Sequence, residues 1–134
     1  MTDTVQFELV SPAKLLLSED VEMVVVPGGE GDFGVLPGHT PMLTTVRPGI
    51  IDIYENDKIA KRIFVEGGFA EVSGTRCAVL AEEAIVLDEL NRDHAEARLQ
   101  KANDALQAAD NDIAKKDAER ELRAAEAMLA ACGA

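Results

Sequence analysis

All five prolines and nine of the ten glycines fall within residues 1–87, whereas residues 88–134 carry 14 alanines and no glycine until Gly133. Proline and glycine punctuate turns, and their absence beside abundant Ala, Glu, Lys and Leu favours helix. No single secondary-structure period can satisfy both parts. The chain therefore reads as two domains, residues 1–87 built of strands and residues 88–134 built of helices, an α+β organisation.

In the first part Val5, Phe7 and Leu9 alternate, as do Val21, Met23 and Val25, so each run is expected to bury one face of a strand. Ile51 and Ile53 alternate ahead of the turn-like Glu55-Asn56-Asp57. Residues 59–65 and 76–80 are further β-rich runs. Pro27-Gly28-Gly29, Pro37-Gly38, Arg47-Pro48-Gly49, Gly67-Gly68 and Ser73-Gly74 separate them at short intervals. Many short strands between regular turns predict a sandwich or barrel rather than βαβ units.

In the second part Ala95, Leu99, Ala102, Leu106 and Ala109 step by four and three, and Ala118, Leu122, Ala125, Leu129 and Cys132 repeat the spacing. Both are narrow seams of the coiled-coil kind. Asp110-Asn111-Asp112 between them offers turn and cap residues, so the two helices are expected to form an antiparallel hairpin.

The net charge of −12 argues against nucleic acid and against anionic lipid surfaces as partners. The first ten residues carry Asp3 and Glu8 and lack a basic, apolar leader, and no run reaches the length of a spanning helix, so no direct lipid insertion is expected. Cys77 and Cys132 lie in unlike regions and do not make a disulfide framework, which suits a reducing compartment. His39 follows a Pro-Gly turn and His94 opens a helix; the carboxylates are spread along solvated faces. No nucleophile elbow, HExxH or paired CxxC occurs, so neither enzymatic activity, metal nor cofactor is expected. The segment Gly28-Gly29-Glu30-Gly31-Asp32-Phe33-Gly34 lacks the Gly-Lys-Ser/Thr of a phosphate loop, and its acids would repel phosphate. It reads as an exposed hairpin turn whose glycines supply positive φ, or equally as a partner contact.

The longer run from Pro27 to Leu43, with its Gly31-Asp32-Phe33-Gly34-Val35-Leu36-Pro37-Gly38-His39-Thr40-Pro41 centre, resembles the signature of ATP synthase epsilon subunits. Arg47-Pro48-Gly49-Ile50, Val65-Glu66-Gly67-Gly68-Phe69-Ala70-Glu71-Val72 and Leu80-Ala81-Glu82-Glu83-Ala84 resemble later elements of the same family. The likeness covers residues 5–87 by motif and the helices by length and character.

That resemblance implies a ten-stranded β sandwich followed by a two-helix hairpin, in a non-catalytic rotor subunit of the central stalk. It implies contact with the c ring through Glu30, Gly31 and Asp32, and with the gamma subunit through Ser11, His39 and Thr44. The hairpin would meet the alpha and beta subunits and could regulate hydrolysis, with the complex at the cytoplasmic side of a bacterial plasma membrane. Physically, a torque-bearing contact gains from the charge-assisted hydrogen bonds an acidic loop can make. Rival readings are a nucleotide-sensing module and an unrelated β-domain adaptor with a coiled-coil arm. ATP-binding relatives carry (Ile/Leu)-Asp-x-x-Arg-Ala, and here Leu87-Asp88 is followed by Asn91 at the arginine position and Arg92 one residue late. One residue turns a helix by about 100°. Asp88 and Arg92, the nucleotide-binding candidates, are thus expected to form an i,i+4 ion pair instead, and ATP to bind weakly or not at all.

Overall fold

A computed structural model of the chain describes residues 4–133. Asp3 of the leader reading lies outside these residues, as do Met1 and Ala134, the outer bounds of the two expected domains. The chain divides into two compact units between Val86 and Leu87.

Among the described residues the first unit has ten strands, in keeping with the expected β sandwich: β1 Val5–Val10, β2 Leu15–Val21, β3 Met23–Gly28, β4 Gly31–Val35, β5 Met42–Val46, β6 Gly49–Glu55, β7 Lys58–Val65, β8 Gly68–Val72, β9 Arg76–Ala81 and β10 Ala84–Val86. They form one curled sheet in the order β10-β7-β6-β3-β5-β8-β9-β1-β2, with β4 on β3. The β1–β9 pair is parallel and the other pairings are antiparallel. Short strands of β-branched residues favour this pleated, half-buried packing. The alternating positions Val5, Phe7 and Leu9 bury as expected, as do Ile51 and Ile53, and they meet Val24, Val26, Val35 and Val79 in one apolar core. No polar or charged residue is buried among the described residues.

The Asn56-Asp57 turn between β6 and β7 has both residues at positive φ, 55° and 61°, the conformation a tight hairpin requires and Asn and Asp tolerate. A different solution joins β5, β8 and β9. Gly67 and Gly68 have φ of 113° and 137°, and a Cβ at Gly68 would lie 1.8 Å from the Leu80 carbonyl oxygen. A side chain cannot fit there.

The alternation expected over Val21, Met23 and Val25 does not hold. The run is two strands, because the chain turns a corner at Glu22, whose N–H donates to the Tyr54 carbonyl at 3.3 Å. The corner resets the pleat, so Val24 and Val26 bury in β3 while Met23 and Val25 are only partly covered. Lys61 of β7 also reaches Glu19 of β2 at 2.9 Å, tying together two strands distant in the sheet order.

The second unit starts with a single 3-10 turn, Leu87–Glu89, followed by α1 Arg92–Ala108 and α2 Asp112–Cys132. Asn91 caps α1 by accepting from the His94 N–H, and Asn111 caps α2 by accepting from the Ala114 N–H. Each satisfies one donor that a helix start leaves open, worth about 1 kcal/mol. Ala95 and Ala102 of α1 and Ala118 and Ala125 of α2 bury as the seams predicted. The stripe on α2 is wider than a coiled-coil seam, however, since Ala124, Met128 and Ala131 are buried too.

Cys77, fully buried in the core, has its thiol pushed up from an ordinary 9.0 to about 12 by burial. Above pH 9 the unfolded chain ionises at this position and the folded chain does not, so folding stability falls as pH rises. The slope attributable to this thiol reaches about 1.4 kcal/mol per pH unit. Urea unfolding between pH 8 and 11 is expected to show this loss in the natural chain and a shallower one in Cys77→Val. Equal slopes would show that Cys77 ionises as readily folded as unfolded.

Candidate functional site

The pairings place one residue from each of five strands in a single outward row: Thr45 opposite Phe69, Phe69 opposite Leu80, Leu80 opposite Val10, and Val10 opposite Leu15. Phe69, Leu80 and Leu15 are each more than half exposed, and Leu43, two residues along β5 from Thr45, is 72% exposed. Residues two apart on a strand share a face, so these side chains make a contiguous apolar patch on the outside of β5, β8, β9, β1 and β2. Beyond Leu80 on the same face of β9, the Arg76 guanidinium donates to Glu8 at 2.6 Å, a hydrogen bond that raises its already high pKa. An apolar centre with a charged margin is the anatomy of a protein–protein interface. The residue-type pattern alone did not reveal it: the exposed members look like core until the register shows which face each one occupies.

Of the three residues expected to meet a gamma subunit, Ser11 and His39 lie at the two ends of this face, whereas Thr44 is on the inward side of β5. Ser11 follows Val10 at one end of the row, its Oγ donating to the Lys14 carbonyl at 3.3 Å. Thr44 is half-buried in the adjacent row with Ala70, Val79 and Leu9, so its strand neighbours Leu43 and Thr45 are the outward ones. His39 lies in the loop whose Gly38 N–H donates to the Gly74 carbonyl, at the opposite ends of β8 and β9. Its ring pairs with Phe33 at 6.5 Å, and its Nδ1 lies 2.7 Å from the Thr40 carbonyl oxygen.

The acidic segment is a hairpin turn. Gly28 pairs with Gly31, which leaves Gly29 and Glu30 as the loop between β3 and β4. Positive φ occurs at Gly31, 138°, but not at Gly28, Gly29 or Gly34, so the expectation for the glycines holds at that position. Glu30, Gly31 and Asp32 are all exposed. The two carboxylates differ in surroundings. Asp32 is ion-paired with Arg47, and Glu30 has no ion-pair partner among the described residues.

Asp88 and Arg92 are not brought together as expected. Asp88 belongs to the 3-10 turn and Arg92 is the first residue of α1, with the Asn91 cap between them. The helix break removes the i,i+4 geometry, and no ion pair joins the two among the described residues. The Arg92 guanidinium lies instead beside the end of α2, where a Cβ on Gly133 would be 3.8 Å from its Nη2. A cation there complements the negative end of the helix dipole. Asn91, which departs from the arginine of ATP-binding relatives, is occupied as a cap. Arg120 pairs with Asp117 at 3.6 Å on the exposed side of α2.

Several comparisons bear on what these surfaces meet. Residues 4–86 match the family described as ATP synthase, Delta/Epsilon chain, beta-sandwich domain. The chain is 57% identical over 131 residues to the ATP synthase epsilon chain of Paramagnetospirillum magneticum, and 54% identical to that of Rhodospirillum rubrum, covering 98% of both chains in each case. Among solved structures it is similar to a chain of the Euglena gracilis mitochondrial ATP synthase, in a structure of OSCP, F1 and c-ring, with a TM-score of 0.80 and 26% identity over 96% of this chain and 81% of that one. A chain of the Tetrahymena thermophila mitochondrial ATP synthase central stalk and c-ring shares the fold, with a TM-score of 0.73 at 17% identity, covering 96% of each.

Titrating the isolated chain with ATP in a calorimeter is expected to give no binding tighter than about 10 µM, roughly −7 kcal/mol. Tighter binding would mean that Arg92 leaves the end of α2 to reach the phosphates.

Proposed function

Because this chain belongs to the ATP synthase Delta/Epsilon family, we propose that it is a non-catalytic central-stalk subunit of a proton-translocating F-type ATP synthase, transmitting rotation between a gamma subunit and the c ring. The observation that carries this reading is the likeness to epsilon chains over almost the whole length, hairpin included. In this reading the chain is peripheral, at the cytoplasmic side of a bacterial plasma membrane. No helix among the described residues is long and apolar enough to cross a membrane.

The two surfaces divide the work. The apolar row of Phe69, Leu80, Val10 and Leu15 is the face for the gamma subunit. Burying large side chains supplies affinity, while the Glu8–Arg76 margin and Ser11 fix register. The acidic turn at Glu30 faces the polar loops of the c ring, where charge-assisted hydrogen bonds resist slip. The hairpin is the arm that reaches the alpha and beta subunits and regulates hydrolysis. Its faces meet largely through alanines, with Arg98 joining the helices by an ion pair to Glu121 at 3.3 Å. Alanines bury little apolar area per residue, so such a pairing opens at lower cost than a leucine-packed one.

Gentle solubilisation of membranes carrying the tagged chain is expected to recover alpha, beta, gamma and c subunits together. Phe69→Glu and Leu80→Glu should each weaken recovery of gamma by about 2 kcal/mol or more, as loss of a central interface anchor does. Both sites are exposed, so the isolated variants should unfold near the natural chain's midpoint. Undiminished gamma recovery with both variants would place the docking face elsewhere, and recovery of no synthase subunit would remove the reading altogether.

A further inference from the structure

Arg47 is bound to both arms of the β3–β4 hairpin. Its N–H donates to the Pro27 carbonyl at 2.9 Å, its Nη1 donates to the Gly28 carbonyl, and its Nη2 pairs with Asp32 Oδ1. Gly28 is on β3 and Asp32 on β4, so one guanidinium spans the base of the acidic turn. The neighbouring Gly29 N–H donates to the Thr45 carbonyl at 2.9 Å, anchoring the same turn to β5. A planar fork can hold a carbonyl and a carboxylate at once, which the ammonium of a lysine does less well.

We propose that Arg47 is a positioning residue: it holds the acidic turn in a preset shape and takes up the charge of Asp32, leaving Glu30 as the carboxylate that faces the partner. The inference rests on the reading of this turn as the c-ring contact and names which of its residues does what. An incoming cation would have to compete with a guanidinium already held at two points, on a residue whose backbone N–H makes a third bond, to reach Asp32. Glu30 meets no such competitor, and the side of Gly31 next to it is open, with nothing within 4 Å of where a Cβ would be. A turn already fixed in its binding shape loses less conformational freedom on docking than a free one.

The test is a double-mutant cycle in vesicles carrying the whole synthase, reading protons pumped per ATP hydrolysed and retention of this chain through washes of rising salt. Glu30→Gln is expected to lower salt-resistant retention about two- to five-fold, the range of an exposed ion pair. Arg47→Gln should lower it similarly, and Arg47→Lys should restore part of the loss. Adding Asp32→Asn to Arg47→Gln should cost nothing further, because the two act as one unit, whereas adding Glu30→Gln should lower retention again. Unfolding midpoints of the isolated variants separate a misfolded chain from a misplaced turn, and Arg47→Lys serves where Arg47→Gln fails to fold. A further loss on adding Asp32→Asn, equal to that from Glu30→Gln, would overturn the proposal by making Asp32 itself a contact. Natural-level pumping and retention in Glu30→Gln and Asp32→Asn alike would remove the c-ring reading of the turn, and the role of Arg47 with it.

Discussion

The close passage of Gly68 beneath the Leu80 carbonyl is the constraint on which the outer face of the sheet depends. At this point β8 is paired with β5 through Val46 and with β9 through Ala81, and both registers are fixed by a residue without a side chain. A slip of one residue on either side would turn Ala70 and Val79 outward and Phe69 and Leu80 inward. The core would then receive the wrong volumes and the apolar row would vanish. The packed core and the exposed apolar row thus share one geometric requirement, met by two consecutive glycines at positive φ.

Much of this arrangement is legible in the residues. The loss of proline and glycine after residue 87 separates strands from helices, because both residues act through local backbone energetics. The alternation of Val5, Phe7 and Leu9 and the helical seams are legible for the same reason: each is a short-range period. The misread stretch at Val21, Met23 and Val25 shows where this ends. Nothing local distinguishes one long strand from two strands meeting at a corner, and the deciding bond runs from Glu22 to Tyr54 on the neighbouring strand β6. The exposed row is hidden in the same way, since membership depends on pairing among five strands.

The site residues divide along the same line. The acidic turn is legible as a turn, but the inequality of its carboxylates is not. Arg47 is 15 positions from Asp32 and is brought to it only by the path of β5 alongside β3. Asn91 is the converse case. Compared with ATP-binding relatives it reads as a missing arginine, yet an asparagine three residues before a helical N–H is also a cap, and that local role is the one it has. Arg92 then lies on a helix that starts later than a continuous reading assumes, and its guanidinium sits by α2.

The buried apolar cluster of the strand unit is drawn from Val5 to Ala81, with Ala84 packed against it. A compact unit that holds its own apolar cluster meets the basic condition for folding as a separate module.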